Sequence, residues 1–454
     1  ASGDYEIENS VRLDGSSGYL KKTPSSSAST RVWTFATWIK RSEINNANAH
    51  NTMLGISSGD NPTAGFRFQN DALAYWDYGE GGTGYAVNCS TLDSARFHDA
   101  SAWAHVMLAV NTTHGTNTNR VKIYWNGVLQ TLDNTNQGGQ GTTYPDQNTD
   151  LAINSHLYEL WIGGTQGYAN FDGYLADTYF INNQQLSPSD FGETGTYGEF
   201  KPIEYKGSFD AYSHYLNYSN SSDLGEDSSG NSNTWSVQNL SDSGDQMLDT
   251  PTNNFCTWNP LHYKWNQTNA YAEGNTKITM TSSGSEGTAY GTIGGLTSGK
   301  WYWEVYINAI GSGTRIGISS SVQLPSSHAP TNFREFLDNH DGTGRNSPAG
   351  FDNTWGNAFT DGDIIGVALD VDNGTLAFYK NNSSQGTAFT NILSDLPTDG
   401  WIPMHRGYGN PTNTTNWGQD SSFAGAKTAQ GNQDGNDIGD FYYTPPTGFL
   451  ALCT

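Results

Sequence analysis

Two pairs of carboxylates in this chain have the i, i+2 spacing that puts both side chains on one face of a strand: Glu6 with Glu8, and Asp370 with Asp372. Retaining glycoside hydrolysis needs two carboxyl groups about 5–5.5 Å apart, so both pairs must be weighed. Glu6 and Glu8 have no further acid in register, and Asp370 and Asp372 flank a turn, so neither pair reads as catalytic. No G-x-S-x-G elbow, H-E-x-x-H helix or phosphate loop occurs. The expectation is a protein that is not an enzyme. His105 stands alone in the apolar run Trp103–Val110 and reads as a hydrogen-bonded structural residue. Asp338-Asn-His-Asp341-Gly and Asn432-Gln-Asp434-Gly-Asn-Asp437 are oxygen-rich, as calcium loops are, but read as solvated turns. No metal and no cofactor is expected.

Sugar binding is the better-supported chemistry. Aromatic faces stack on the apolar faces of sugar rings, while carboxylate, amide and backbone groups take the hydroxyls. Tyr75-Trp76-Asp77-Tyr78 runs into the glycine loop Gly79-Glu80-Gly81-Gly82, and Trp76 and Tyr78 share one side of a strand. The structural alternative is that Trp76 is core and Tyr78 covers an edge.

The elements that position these residues are short strands. Asp361–Asn381 reads as a β-hairpin about Asn373-Gly374, a dipeptide suited to a tight type I′ turn. Counting outward, Val371 faces Leu376 and Leu369 faces Phe378. A calcium loop starting at Asp370 would need a Glu near its twelfth position, and none is there. Asn126-Gly127 centres a second hairpin, and Trp33, Phe35, Thr37 and Ile39 share one side of another strand. Residues 182–200 hold the one short helix, capped at Ser187 or Ser189. The stretch from Leu248 to Leu261, with Pro251 and Pro260, reads as an extended linker.

Composition narrows the class. Hydrophobic residues are only 35% of the 454 residues, but aromatics reach 13%, which a disordered chain would not show. The net charge of −24, unbroken by any basic cluster, argues against nucleic acid as a partner. No apolar run is long enough to insert in a membrane, and the opening ASGDYEIENS has no signal-peptide pattern. Cys89, Cys256 and Cys453 form neither a disulfide framework nor a zinc pattern.

WTFATWIKRS, SAWAHVMLAV, RVKIYWNGV and FDGYLADTYFIN, in that order, resemble the laminin G / concanavalin A-like lectin family. GKWYWEVYI, RIGIS, GDIIGVALDVDNGTLAFYKN and NWGQ resemble the SPRY domain, with Trp417 where that family usually has Phe. These resemblances imply an all-β chain: two tandem jelly-roll β-sandwiches joined by a polar connector. The expected bounds are 1–200 for the first, 201–261 for the connector and 262–454 for the SPRY-like sandwich. Residues 201–240 are expected to return to the first sandwich as an edge strand. SPRY domains bind through variable loops, which here suggests Arg334, Phe336, Arg406 and Tyr408.

The segments NSVRLDGSSGYLKKTPSSSAS, LGEDSSGNSNTW, LDTPTNNFCTWNPL and YTPPTGFLALCT are further similar to laminin G–SPRY proteins of tailed, especially marine, bacteriophages. That resemblance implies a virion protein assembled in the host cytoplasm and exposed on the particle, a tail fibre or surface adhesin. Its expected partners are other virion proteins and host-surface carbohydrate. A homo-oligomer or many copies would give weak sites avidity. The alternative is a purely structural protein decorating capsid or tail.

Overall fold

A computed structural model describes residues 5–44, 50–57, 63–92, 94–95, 97–133, 142–166, 170–262, 268–281, 287–320, 333–339, 343–347 and 354–454. The fold is all-β, and the chain divides into two compact units on either side of the Asn253–Asn254 bond.

The first unit is built on Val32–Arg41, which pairs with Ala104–Asn111 on one side and Asp172–Asn182 on the other. Its alternation sends Trp33, Phe35 and Ile39 into the core, while Ala36 and Trp38 face away from it. Val121–Trp125 and then Val128–Leu129 extend this sheet at one edge, and Ser10–Asp14 extends it at the other. The second sheet runs in the order Tyr19–Lys22, Glu159–Ile162, His50–Ser57, Ala64–Gln69, Ala72–Asp77, Val87–Ser90. Rings close the space between sheets: Trp33 meets Tyr75 edge-on at 6.1 Å, and Phe35 meets Phe66 at 6.4 Å. Asn126 and Gly127 both have positive φ, 45° and 78°, as a two-residue hairpin turn requires. The helical turn in 182–200 is a 3-10 turn, Pro188–Asp190, with Ser187 in a capping box with Asp190. A four-residue α-helix at Asp242–Asp245 was not expected from the sequence.

The polar segment after residue 200 also pairs with this unit. His214–Leu216 joins Asp172–Asn182, Ser236–Gln238 lies beside Tyr19–Lys22, and Gln246–Met247 lies beside Ser10–Val11. Leu216, Tyr218, Leu224 and Trp235 are fully buried in its core.

The linker reading of 248–261 is corrected. Phe255, Cys256 and Trp258 are buried in the second unit: Phe255 bridges to Cys453 and Trp258 to Gly291. The Trp258 indole packs edge-on against Trp417 at 4.9 Å and donates to Thr415 Oγ1. A buried tryptophan outweighs the extended bias of the flanking prolines.

In the second unit Lys300–Ala309 pairs with Ile364–Asp370 and Thr412–Asn416, and Thr375–Lys380 and Ser383–Phe389 follow Ile364–Asp370 outward. Thr268–Ala272 and Lys277–Thr281 lie beyond Thr412–Asn416. The facing sheet carries Gly287–Tyr290, Trp401–Tyr408, Gly313–Ser320, Phe333–Asn339, Thr343–Ser347 and Thr354–Asn357, in that order.

The hairpin in 361–381 forms, but not with a type I′ turn. Leu369 pairs with Leu376 and Val367 with Phe378, leaving a four-residue turn, Val371–Gly374. Of its last two residues only Gly374 has positive φ. Asp370 accepts hydrogen bonds from the backbone N–H and side-chain amide of Asn373, and Val371 leaves the ladder to bury itself completely. The register moves by an even step, so the apolar side remains the one expected.

Candidate recognition surfaces

Asp77 organises the glycine loop. Its carboxylate accepts from the backbone N–H of Gly79 at 2.7 Å, Ala152 at 2.8 Å and Ile153 at 3.1 Å, and from the Tyr75 hydroxyl at 3.0 Å. Burial pushes this carboxyl up to about 6. Glu80 N–H donates to Asp150 O, and Gly81 N–H donates to the Tyr158 hydroxyl. The loop and Asp77 are therefore tied to 150–158 by four hydrogen bonds.

Tyr75 and Trp76 are corrected: neither presents a ring to solvent. Tyr75 is fully buried between the sheets. Trp76 faces outward, but its ring lies across Gly65, where a Cβ would come within 2.3 Å of it, and the Arg67 guanidinium stacks 4.0 Å from it. Tyr78 is half-buried and meets Tyr85 at right angles, with ring centroids 4.8 Å apart. Tyr85, missed in the sequence because a glycine loop has no periodicity, is 47% exposed. Tyr78 and Tyr85 thus form a perpendicular pair of rings beside this anchored loop, with Tyr85 the more exposed of the two.

In the second unit Phe336 is core, packed on Phe359 at 5.0 Å and Phe378 at 5.3 Å, so its expected place in a binding loop is corrected. Arg334 and Arg406 are also buried, and both are committed. Arg334 pairs with Asp395, while Arg406 donates to both oxygens of the fully buried Glu335. Unpairing either would cost more than a surface contact returns. Of the four, only Tyr408, 44% exposed, is placed to touch a partner. The Asp338–Asp341 stretch lies outside the described side chains.

The remaining candidates resolve structurally. Glu6 and Glu8 flank buried Ile7 and face solvent. His105 is enclosed by Trp38, Phe191 and Phe200, and burial pushes it down to about 3. Asp434 accepts from the backbone N–H of Asn436, Ile438 and Ala451, which turns it inward as a turn anchor. Among the described residues no three His, Cys, Asp or Glu side chains group as metal ligands. All three cysteines are free. An open cleft of about 630 Å³ lies beside the Asn126-Gly127 turn, lined among others by Val128, Pro188, Glu193, Thr194 and Phe200.

Residues 300–397, which include the central strand pair and the hairpin of the second unit, match the family model described as the SPRY domain. This segment is a SPRY domain. Similar solved structures include the SPRY domain of human HERC1, at 21% identity over 35% of this chain and 96% of that one, with a TM-score of 0.29. A human SPRY domain shows 17% identity over 34% and 96%, TM-score 0.25, and the TRIM65 PSpry domain 13% over 36% and 92%, TM-score 0.29. No curated protein matches the chain. SPRY domains are interaction modules that bind protein partners and are typically non-catalytic.

Proposed function

We propose that this chain is a non-catalytic recognition protein displayed on a virion, whose first sandwich binds host-surface glycan at the Tyr78–Tyr85 corner. The observation that carries the reading is that corner: two rings at right angles on a loop anchored by a buried carboxylate. Preorganisation of this kind lowers the ordering cost of binding. The buried carboxylates Asp77, Asp177 and Glu304 each serve backbone or tyrosine donors. The phage resemblance supplies the setting, and the SPRY domain supplies a second surface for another virion protein.

A virion-bound copy detected by immunogold labelling, together with loss of adsorption in particles lacking the protein, supports this reading. Normal adsorption without it, and no retention of the purified protein on host cells, removes the adhesin role.

The purely structural reading is favoured by one feature. Val128 and Leu129 are exposed at the sheet edge bordering the cleft, and Tyr197, 95% exposed, tips the nearby hairpin of Gly192–Thr194 and Phe200–Pro202. Exposed apolar groups grouped in this way suit a protein partner better than a sugar.

A further inference from the structure

The segment after Trp417 lies beyond the matched SPRY residues and closes over the outer face of the sheet centred on Lys300–Ala309. Phe423 packs on Tyr306 at 5.6 Å, Phe441 packs on Tyr302 at 5.4 Å, and Leu450–Ala451 pairs in parallel with Trp301–Tyr302. Between those two tyrosines stands Glu304. Its neighbours Trp303 and Val305 enter the core, so Glu304 faces the closing segment, and it is fully buried.

Each Glu304 oxygen is filled. Oε2 accepts from Tyr442 N–H at 2.8 Å and from the Asn416 amide at 3.2 Å. Oε1 accepts from Tyr443 N–H at 2.8 Å and from the Tyr302 hydroxyl at 3.3 Å. Two consecutive backbone N–H groups held by one carboxylate fix that point of the closing segment on the sheet.

We propose that Glu304 and residues 440–443 form a proton-controlled latch that holds the closing segment over the aromatic face of the SPRY unit.

The groups around Glu304 supply hydrogen bonds but no cation. Tyr302 is on its own strand, Asn416 on the adjacent one, and Tyr442 and Tyr443 on the closing segment. Lys300 is paired with Asp370 and Lys380 with Asp363, while Lys427 sits over the Tyr306 ring. Asp440 accepts from Ser421 and Gly431, and Asp434 from Ala451. Burial outweighs the donors and pushes Glu304 up to about 7. With the latch open, Glu304 meets water and returns to the ordinary range near 4.3. The bound proton therefore favours the closed state below about pH 7. Above it, closure buries a charge that hydrogen bonds hold but no cation neutralises. Linkage then raises the open-to-closed ratio by roughly 10- to 100-fold between pH 5 and 8.

The test is hydrogen exchange at the amides of Tyr442 and Tyr443 in the full chain, corrected for intrinsic rates, at pH 5 and pH 8. Wild type is expected to lose 10- to 100-fold of protection at the higher pH, and Glu304→Gln, which cannot ionise, is expected to lose none. Equal protection at both pH values in wild type, or an equal loss in the variant, overturns the latch. Should Glu304→Gln not fold, the carboxyl ¹³C titration of wild type decides. A midpoint near 7 supports the proposal, and one below 5 overturns it.

Discussion

Lys40 Nζ lies 2.7 Å from Asp249 Oδ2, and neither side chain reaches solvent. The other Asp249 oxygen accepts from the Trp103 indole at 2.8 Å, and its backbone carbonyl accepts from the Ser10 hydroxyl. This buried pair fastens the end of the polar segment to the central strand of the first unit. Removing one partner strands a buried charge, so Asp249→Ala is expected to cost about 3–5 kcal/mol. The apolar pair Lys40→Met with Asp249→Leu should recover most of it, as read by urea unfolding of the full chain.

Asp177 predicts a pH dependence. It accepts from the hydroxyls of Tyr215 at 2.7 Å and Tyr5 at 2.8 Å, and burial pushes it up from 3.8 to about 6. A raised carboxyl stabilises the fold while protonated, so its contribution is full below about pH 4 and lost as pH rises through about 6. The stability of wild type relative to Asp177→Asn should fall by about 2–3 kcal/mol between pH 4 and 7. Denaturant midpoints of the two proteins across that range measure it, and a constant difference would refute the assignment.

Trp258 sets where the second unit begins. A chain starting at Asn254 keeps Trp258 and the Phe255–Cys453 bridge, whereas one starting at His262 loses both. Loss of a core tryptophan costs about 3–5 kcal/mol, a large share of a domain's stability. The longer segment should give dispersed ¹H–¹⁵N spectra and cooperative melting, and the shorter one should not.

The strands were legible because an alternating run such as Trp33–Ile39 buries the same residues whatever it pairs with. The 361–381 hairpin shows the limit of such reading. Its turn is decided by Asp370 bonding to Asn373 and by Val371 finding a core site, neither of which is visible in the Asn-Gly dipeptide. Trp76 shows another limit. Its cover comes from Arg67 and Gly65 on the neighbouring strand. Arg334 and Arg406 looked like scarce free cations until their acids, Asp395 and Glu335, were placed beside them.

The observed turn predicts an asymmetry between Asn373 and Gly374. Gly374 has φ of +72°, and a Cβ on it would lie 3.0 Å from Leu393 Cβ. Gly374→Ala should therefore cost about 1–2 kcal/mol from the left-handed backbone alone. Asn373→Ala should cost less, about 0.5–1.5 kcal/mol, for its side-chain bond to Asp370. Thermal midpoints of the two variants test the order, and equal or reversed losses would favour a type I′ turn.

The central claim is that the Tyr78–Tyr85 corner is the recognition surface while Trp76 is scaffold. The most direct measurement is retention of wild type, Tyr85→Ala and Trp76→Ala on an array of host-surface polysaccharides, with melting temperatures taken in parallel. Tyr85→Ala should melt like wild type and lose roughly 3- to 10-fold in binding, since one stacked ring contributes about 0.5–1.5 kcal/mol beyond its buried area. Trp76→Ala should instead melt earlier. Full retention by Tyr85→Ala, or no retention of wild type on any polysaccharide, would contradict the glycan-binding role.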